Sequence, residues 1–383
     1  MALDAETLSL LLEAVRRFVA EQLVPAEQAL AESGSIPDTI VQGMRELGLF
    51  GLSIDPDHGG LGLNMEEEVQ VAMALGHTSP AFRSLAGTNI GIGSQAIVLA
   101  GTDAQREKYL PRLATGELIG SFALTEPEAG SDAMSLRTSA RREGDHYVLN
   151  GTKRFITNAP VAGLFTVMAR TGDGHKADAI SCFLVEAGVP GLVLGKPDKK
   201  MGQAGSLTCD VVFDNCRVPA DALLGGQEGI GFRTAMRVLD KGRLHISALC
   251  VGIAERLLAD AVRYASDRKQ FGKPIAEFQL IQAMIADSQT EIYAARCMIM
   301  DAARKRDRGE NTTMEAACCK LFASEMVGRV ADRAVQIHGG AGYISEYAVE
   351  RFYRDVRLFR IYEGTSQIQQ LVIARETMKA HSA

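Results

Sequence analysis

In Arg357-Leu358-Phe359-Arg360-Ile361-Tyr362-Glu363-Gly364-Thr365-Ser366-Gln367-Ile368-Gln369, one carboxylate stands between an apolar pair and a glycine. Burial disfavours the charged form of a carboxyl, so a glutamate in an apolar cleft has a raised pKa, which suits a general base working near neutrality. Thr365 and Ser366 are residue types that open a helix with N–H groups facing outward. A glutamate in a capping turn has the same local pattern, and from this stretch alone that is the commoner meaning. A second stretch, Phe122-Ala123-Leu124-Thr125-Glu126-Pro127-Glu128-Ala129-Gly130-Ser131-Asp132, runs from apolar residues into a turn rich in small and hydroxyl side chains. Such a turn brings backbone N–H groups and hydroxyls against an anionic or heteroaromatic ligand. A plain turn reads the same way.

Other spacings point away from familiar chemistries. Gly91-Ile92-Gly93-Ser94-Gln95-Ala96 fits the GxGxx(G/A) dinucleotide pattern. No strand precedes it and no ribose-binding acid follows in a βαβ setting, so a glycine-permitted close approach between helices is expected there. Gly226, Gly229 and Gly231 read as an interdomain loop. There is no GxxxxGK[ST] and no GxSxG. The seven histidines form no HExxH and the seven cysteines no CxxC, which predicts mostly buried free thiols and no metal site.

The elements that must position these residues fall into three blocks. A chain of 383 residues is too long for one ordinary core and suits two or three packed domains. Leu8, Leu11, Leu12, Val15 and Val19 mark one face at helical spacing. Short apolar runs separated by Gly, Pro and Asp follow, including Leu164–Met168, Ile180–Val185 and Cys209–Phe213. With no long helical pattern between them, they predict an antiparallel β domain. Tyr147–Leu149 and Arg154–Thr157 flank Asn150-Gly151, a dipeptide that predicts a hairpin turn. Beyond Ile230 long helical patterns return, with Ile281, Met284, Ile285, Ser288, Ile292, Ala295, Ile299 and Ala302 on one stripe. The expected fold is α+β, mainly α: an N-terminal helical domain over 1–121, a middle antiparallel β domain over 122–229 and a C-terminal four-helix bundle over 230–383. Clefts between such domains commonly hold cofactors.

Hydrophobic residues make up 46% and charged residues 23% of the chain, a globular balance. The net charge of -6 gives no reason to bind nucleic acid, and no apolar run is long enough to span a bilayer. Neither Met1–Leu12 nor His381-Ser382-Ala383 carries a targeting signal, so a cytoplasmic protein is expected, or a mitochondrial matrix protein if a leader precedes this sequence.

Five motifs in order resemble the acyl-CoA dehydrogenase family over nearly the whole length. They are Leu124–Asp132, Asn150–Asn158, Asp267-Arg268-Lys269-Gln270-Phe271-Gly272, Gln336-Ile337-His338-Gly339-Gly340 and Ile361–Gln369. The resemblance implies FAD between the β domain and the bundle. Phe122, Leu124, Thr125, Gly130, Ser131, Phe155, Ile156 and Thr157 would face the flavin. Arg268, Phe271 and Gln279 would contact the FAD of one subunit, and Gln336, Ile337, Gly339 and Gly340 that of its neighbour, with Thr365 and Gln367 also touching it. This sharing implies a homotetramer, or dimer of dimers. Ser131, Asp240, Arg243 and Gly364 would meet the acyl-CoA substrate, with Lys241 beside Arg243 near its phosphates.

The implied reaction is α,β-dehydrogenation to a trans-2-enoyl-CoA. Glu363 would take the α-proton, hydride would pass to FAD, and electrons would go on to an electron-transfer flavoprotein. The enolate oxygen would be met by the Glu363 N–H and a cofactor hydroxyl. Three departures from the family pattern stand out. Gly242 occupies the place of an alternative base, Phe155 stands where tryptophan is common in a chain with no Trp, and Ala204 stands where a basic residue is common. Alternatives are an acyl-CoA oxidase using O2 and a catalytically silent acyl-CoA- or flavin-binding protein. A flavin monooxygenase of this fold has no need of the Glu363 carboxylate. The acyl pocket is expected between residues 88–100 and the helix after Gly231.

Overall fold

The computed structural model describes residues 3–174 and 176–382. The terminal residues Met1, Ala2 and Ala383, where targeting signals were sought, lie outside the described residues. Seven helices come first: α1 (Ala5–Phe18), α2 (Val24–Ser33), α3 (Asp38–Glu46), α4 (Met65–Leu75), α5 (Pro80–Thr88), α6 (Gln95–Ala100) and α7 (Asp103–Ala114). Local chemistry starts several of them. Asp4 accepts from the Thr7 N–H, while Asn64 with Glu67 and Thr102 with Gln105 form reciprocal capping boxes. Leu12, Val15 and Val19 of the predicted stripe are buried in a core with Phe18, Leu23, Met44, Phe50 and Phe82, while Leu8 and Leu11 are only partly buried.

Seven strands follow: β1 (Gly120–Ala123), β2 (Ser139–Glu143), β3 (His146–Thr157), β4 (Leu164–Arg170), β5 (Ile180–Glu186), β6 (Leu192–Leu194) and β7 (Thr208–Pro219). β2–β3, β3–β7, β4–β5 and β6–β7 pair antiparallel. β1 pairs with β4 parallel over Gly120–Ala123, and β2 joins the same strand through Ser139 and Arg170. The sheet is therefore mixed: parallel at two pairings, β1–β4 and β2–β4, and antiparallel elsewhere. Both of its faces are covered. Leu164 and Met168 pack under Ile97, Leu113 and Val238, whereas Phe165 and Val167 pack with Phe183, Val211 and Phe213.

The hairpin expected at Asn150-Gly151 does not form there. These residues lie inside the continuous strand β3, and the β2–β3 turn sits earlier, at Gly144 with φ +65°. β7 pairs with β3 on both sides of the dipeptide and overrides the local turn preference. Gly151 remains necessary for another reason: a Cβ there would strike Thr138, and the register shifts between Leu149 and Gly151.

The C-terminal part contains α8 (Gly231–Asp267), a small hairpin of β8 (Lys269–Gln270) and β9 (Lys273–Pro274), then α9 (Gln279–Asp307), α10 (Thr313–His338), α11 (Ala348–Val356) and α12 (Ser366–Ser382). Its core joins Ile253 and Leu257 to Ile292, Ile299, Met326, Phe352 and Phe359. Ser288, Ile292, Ala295, Ile299 and Ala302 of the predicted stripe are buried, while Ile281, Met284 and Ile285 are only partly so. The cysteines are free, and five are buried. No helix of the described residues is long and apolar enough to cross a membrane.

Gly93 does serve a close approach, but against the backbone of Gly120 at the start of β1 rather than a second helix. Gly231 likewise packs on the Ser181–Cys182 backbone and seats the start of α8 against β5.

Candidate active site

A cavity of about 210 Å³ opens where the three parts of the fold meet. Phe122, Leu124, Thr125, Gly130 and Ser131 contribute one wall, and Phe155, Ile156 and Thr157 a second. Arg83, Ser84 and Thr88 come from α5, while Met236, Leu239 and Arg243 come from α8. Tyr362, Glu363 and Gly364 close the remaining side.

The β wall is shaped by a bulge. The β3–β7 register shifts between Lys153 and Ile156, and Phe155 takes φ +59°. A bulge re-aims side chains that regular alternation would bury. Phe155 is 59% exposed, while its neighbour Ile156 is buried. The Arg154 N–H leaves the ladder and donates to the Thr125 carbonyl at 2.8 Å, tying the bulge to the turn after β1. Beneath that turn lies a buried ion pair. Lys153 Nζ donates to Glu126 Oε1 at 2.8 Å and to the Leu124 carbonyl at 3.2 Å. Glu126 also accepts from the Arg137 and Thr138 N–H groups at 2.6 and 2.9 Å. Glu126 and Lys153 belong to two of the sequence motifs, yet the sequence assigned them no role. Their distance apart in the chain hid the pairing.

Glu363 does not cap a helix. Thr365 takes that place, its Oγ1 accepting from the Ile368 N–H at 3.2 Å at the start of α12. Glu363 itself has φ +52° and Gly364 φ +90°. A non-glycine residue held in the left-handed region costs of order 1–3 kcal/mol, so the surroundings must hold the turn in place. Gln369, fully buried, donates from its side-chain amide to both the Glu363 and Gly364 carbonyls at 3.1 Å. The carboxylate rests against α8, where a Cβ at Gly242 would overlap Glu363 Oε2. That oxygen is buried and without a hydrogen bond among the described residues. Burial raises the Glu363 pKa, opposed by the positive charges of Arg83, Lys320 and Arg243.

Behind the carboxylate runs a buried polar chain that the sequence reading missed. Arg83 donates through Nη2 to His245 Nδ1, and its Nε is unpartnered among the described residues. Burial and the nearby cations Arg83 and Lys241 hold the His245 pKa well below its usual value, so the ring is neutral. Its Nε2 lies 3.7 Å from Glu68 Oε2, and Glu68 Oε1 pairs with Lys241 Nζ at 2.8 Å. Lys241 is thus turned inward, away from the phosphate role expected of it. Of its members the sequence pointed to Lys241 alone; Arg83 in α5 and His245 in α8 each stand singly in a helix, and Glu68 is one of three adjacent glutamates in α4. Such residues carry no local signal.

The remaining expected site residues divide in two. Arg243 reaches the cavity, whereas Asp240 does not: its carboxylate accepts from Arg243 Nη1 at 2.7 Å and from Thr313 Oγ1 at 3.1 Å. Asp240 therefore orients Arg243 instead of lining the pocket. Gly364 lines the cavity, Thr365 is half-buried and Gln367 is exposed. Arg268, Phe271, Gln279, Gln336, Gly339 and Gly340 are exposed outside the cavity lining, and Ile337 is buried in the bundle core. Phe271 stands on the β8–β9 turn at φ +53°, 94% exposed.

Comparison with known proteins bears on this arrangement. Family models for the N-terminal, middle and C-terminal domains of acyl-CoA dehydrogenase match residues 5–117, 121–216 and 229–378. The chain is 44% identical to acryloyl-CoA reductase (NADH) of Anaerotignum propionicum, covering 95% of this chain and 92% of that one. It is 42% identical to the caffeyl-CoA reductase–Etf complex subunit CarC of Acetobacterium woodii, covering 91% and 92%. Butyryl-CoA dehydrogenase from Megasphaera elsdenii superposes with a TM-score of 0.94 at 36% identity, covering 99% and 100%.

Proposed function

Because this chain belongs to the acyl-CoA dehydrogenase family, we propose that it interconverts an acyl-CoA and its trans-2-enoyl-CoA, with Glu363 as the base and FAD as the resident cofactor. The observation that carries this reading is the buried, unpartnered Glu363 Oε2 at a cavity built from all three parts of the fold. The residues fit a flavin. Leu124 and Ile156 give an apolar wall, the bulge presents the Phe155 ring, and Thr125, Ser131 and Thr157 add hydroxyls. Bound there, FAD supplies the acceptor for the β-hydride.

The chain's own residues handle the proton. Glu363 takes the α-proton as the C–H bond breaks, and the electron pair left on the α-carbon moves towards the thioester carbonyl. The Glu363 N–H makes no hydrogen bond among the described residues and serves as a donor to the developing oxyanion. Arg243, braced by Asp240, and Ser131 supply polar contacts for the CoA part. Thr88, Ile92, Met236 and Leu239 wall the acyl side.

Two partners follow. CarC is named as a subunit of a complex with Etf, which supports an electron-transfer flavoprotein as acceptor here. The exposed group around Phe271 and Gly339-Gly340 supports a homotetramer in which a neighbour covers these residues. The reductive direction is a second reading, favoured by relatives named as reductases. It uses the same residues: a protonated Glu363, which burial favours, returns its proton to the α-carbon.

Purified protein should be yellow and should bleach when mixed anaerobically with an acyl-CoA. Protein that stays colourless after FAD is supplied sinks the assignment, and rapid peroxide formation in air moves it to an oxidase. Reoxidation of the reduced protein by an enoyl-CoA faster than bleaching by the acyl-CoA selects the reductase direction.

Gly242→Ala tests the fit of the carboxylate. The added methyl displaces Oε2, and a misplacement of about 1 Å costs on the order of a hundredfold in rate. Stopped-flow bleaching should show that loss with the visible flavin spectrum unchanged. A rate within about threefold of wild type would mean the carboxylate does not react from this position.

A further inference from the structure

Resting on Glu363 as the base, we propose that Lys320 is a positioning residue for it: its buried ammonium clamps the Glu363–Gly364 turn and keeps the carboxyl able to accept a proton. Lys320 lies within α10 and is fully buried. A lysine removed from water without a carboxylate partner is costly, and among the described residues Lys320 makes no salt bridge. Its hydrogen bond goes instead to a backbone carbonyl, with Nζ donating to Gly364 O at 2.6 Å.

That carbonyl belongs to the residue after the base, inside the two-residue left-handed turn. Gln369 holds the same carbonyl from α12, so the turn is gripped from two helices. Gln369 is neutral and its grip is local in sequence. Lys320 comes from 44 residues away on a helix packed into the bundle core. It therefore fixes the base relative to the rigid body of the protein.

The charge acts alongside the hydrogen bond. Glu363 is faced by Arg83 from α5, Arg243 from α8 and Lys320 from α10. Lys320 is faced by Cys250 and Arg243 from α8, by Glu325 of its own helix and by Glu363. Burial lowers the Lys320 pKa to about 8, which leaves it protonated at neutral pH. Removing that charge disfavours the Glu363 carboxylate and raises its pKa further. Because the base works deprotonated, the acid limb of the rate profile then moves to higher pH.

The test is stopped-flow anaerobic bleaching by acyl-CoA across pH for the wild type, Lys320→Met, Lys320→Gln, Lys320→Arg and Glu363→Gln. Lys320→Met removes donor and charge. It should slow bleaching about tenfold to a hundredfold and move the acid limb up by about one pH unit, with acyl-CoA affinity within about threefold. Lys320→Gln keeps a donor without charge and should show the limb shift with a smaller loss of rate. Lys320→Arg keeps the charge and should leave the limb in place. A readout independent of turnover is the infrared band of the protonated Glu363 carboxyl in cofactor-free protein, assigned by its loss in Glu363→Gln. In Lys320→Gln that band should persist to higher pH.

A Lys320→Met or Lys320→Gln protein with the wild-type rate and limb overturns the inference. So does a lowered melting temperature with the limb unmoved, which would make Lys320 merely structural. If Lys320→Met does not fold, Lys320→Gln against Lys320→Arg decides by the same criteria. Normal bleaching by Glu363→Gln would instead remove the base itself, a result distinguishable from either failure at Lys320.

Discussion

Glu363→Gln should bind flavin normally and bleach with acyl-CoA about 10²–10⁴-fold more slowly than wild type, the usual contribution of a positioned base. The amide fills the same space beside Gly242, so the loss is in proton transfer and not in shape. In the wild type, burial places the Glu363 pKa above the usual carboxylate value of 4.5. The bleaching rate should therefore climb with pH through that raised pKa, and Glu363→Gln should abolish the climb. Stability should move the other way. A carboxyl whose folded pKa is raised leaves the native state holding more protons than the unfolded state, so its contribution to stability falls as pH rises. The glutamine variant, with no buried charge, should melt at or above the wild-type temperature near neutral pH. A variant both slow and strongly destabilised would point to a structural role for the carboxylate.

Lys153→Met should be the most damaging substitution outside the reaction itself. Lys153 and Glu126 are both buried, and removing one partner of such a pair costs about 3–5 kcal/mol because the other charge is stranded. Burial raises the Glu126 pKa, but Lys153, Thr138 and the Arg137 N–H outweigh it and hold the carboxyl below its usual value. The stability this contributes is present above the unfolded pKa and is lost as pH falls. Denaturant titration should show the loss in Lys153→Met, and FAD affinity should fall with it because the pair underpins the Thr125–Ser131 turn. The double variant Lys153→Met with Glu126→Gln should recover part of the stability, since no charge is then stranded. A double variant no more stable than the single one would place the damage in packing.

The features legible in the sequence were those written in local pattern. Helical spacing marked the stripe through Ile292, Ala295 and Ile299, and short apolar runs marked β4 and β5. Most of the expected wall residues also meet in one cavity. Features set by distant partners were not legible. Asn150-Gly151 looks like a turn until β7 pairs beside it. Lys241 and Arg243 lie two apart on one helix. One turns to Glu68 and the other to the cavity, because residues two apart in a helix face different ways. Arg83, Lys320 and Gln369 reach the base from three helices, and no spacing in the chain brings them together. Asp240 has the charge of a ligand residue, yet its carboxylate is taken up by Arg243 and Thr313.

The bulge at Phe155 has a practical consequence. The chain contains no tryptophan, so its near-ultraviolet emission comes from tyrosine alone. Phe155 stands outside the β3–β7 ladder, where a larger ring meets solvent and cavity instead of core. Phe155→Trp would therefore install a single indole fluorophore at the cavity mouth without disturbing the sheet. Excited at a wavelength where tyrosine does not absorb, its emission would report occupancy of the cavity by quenching.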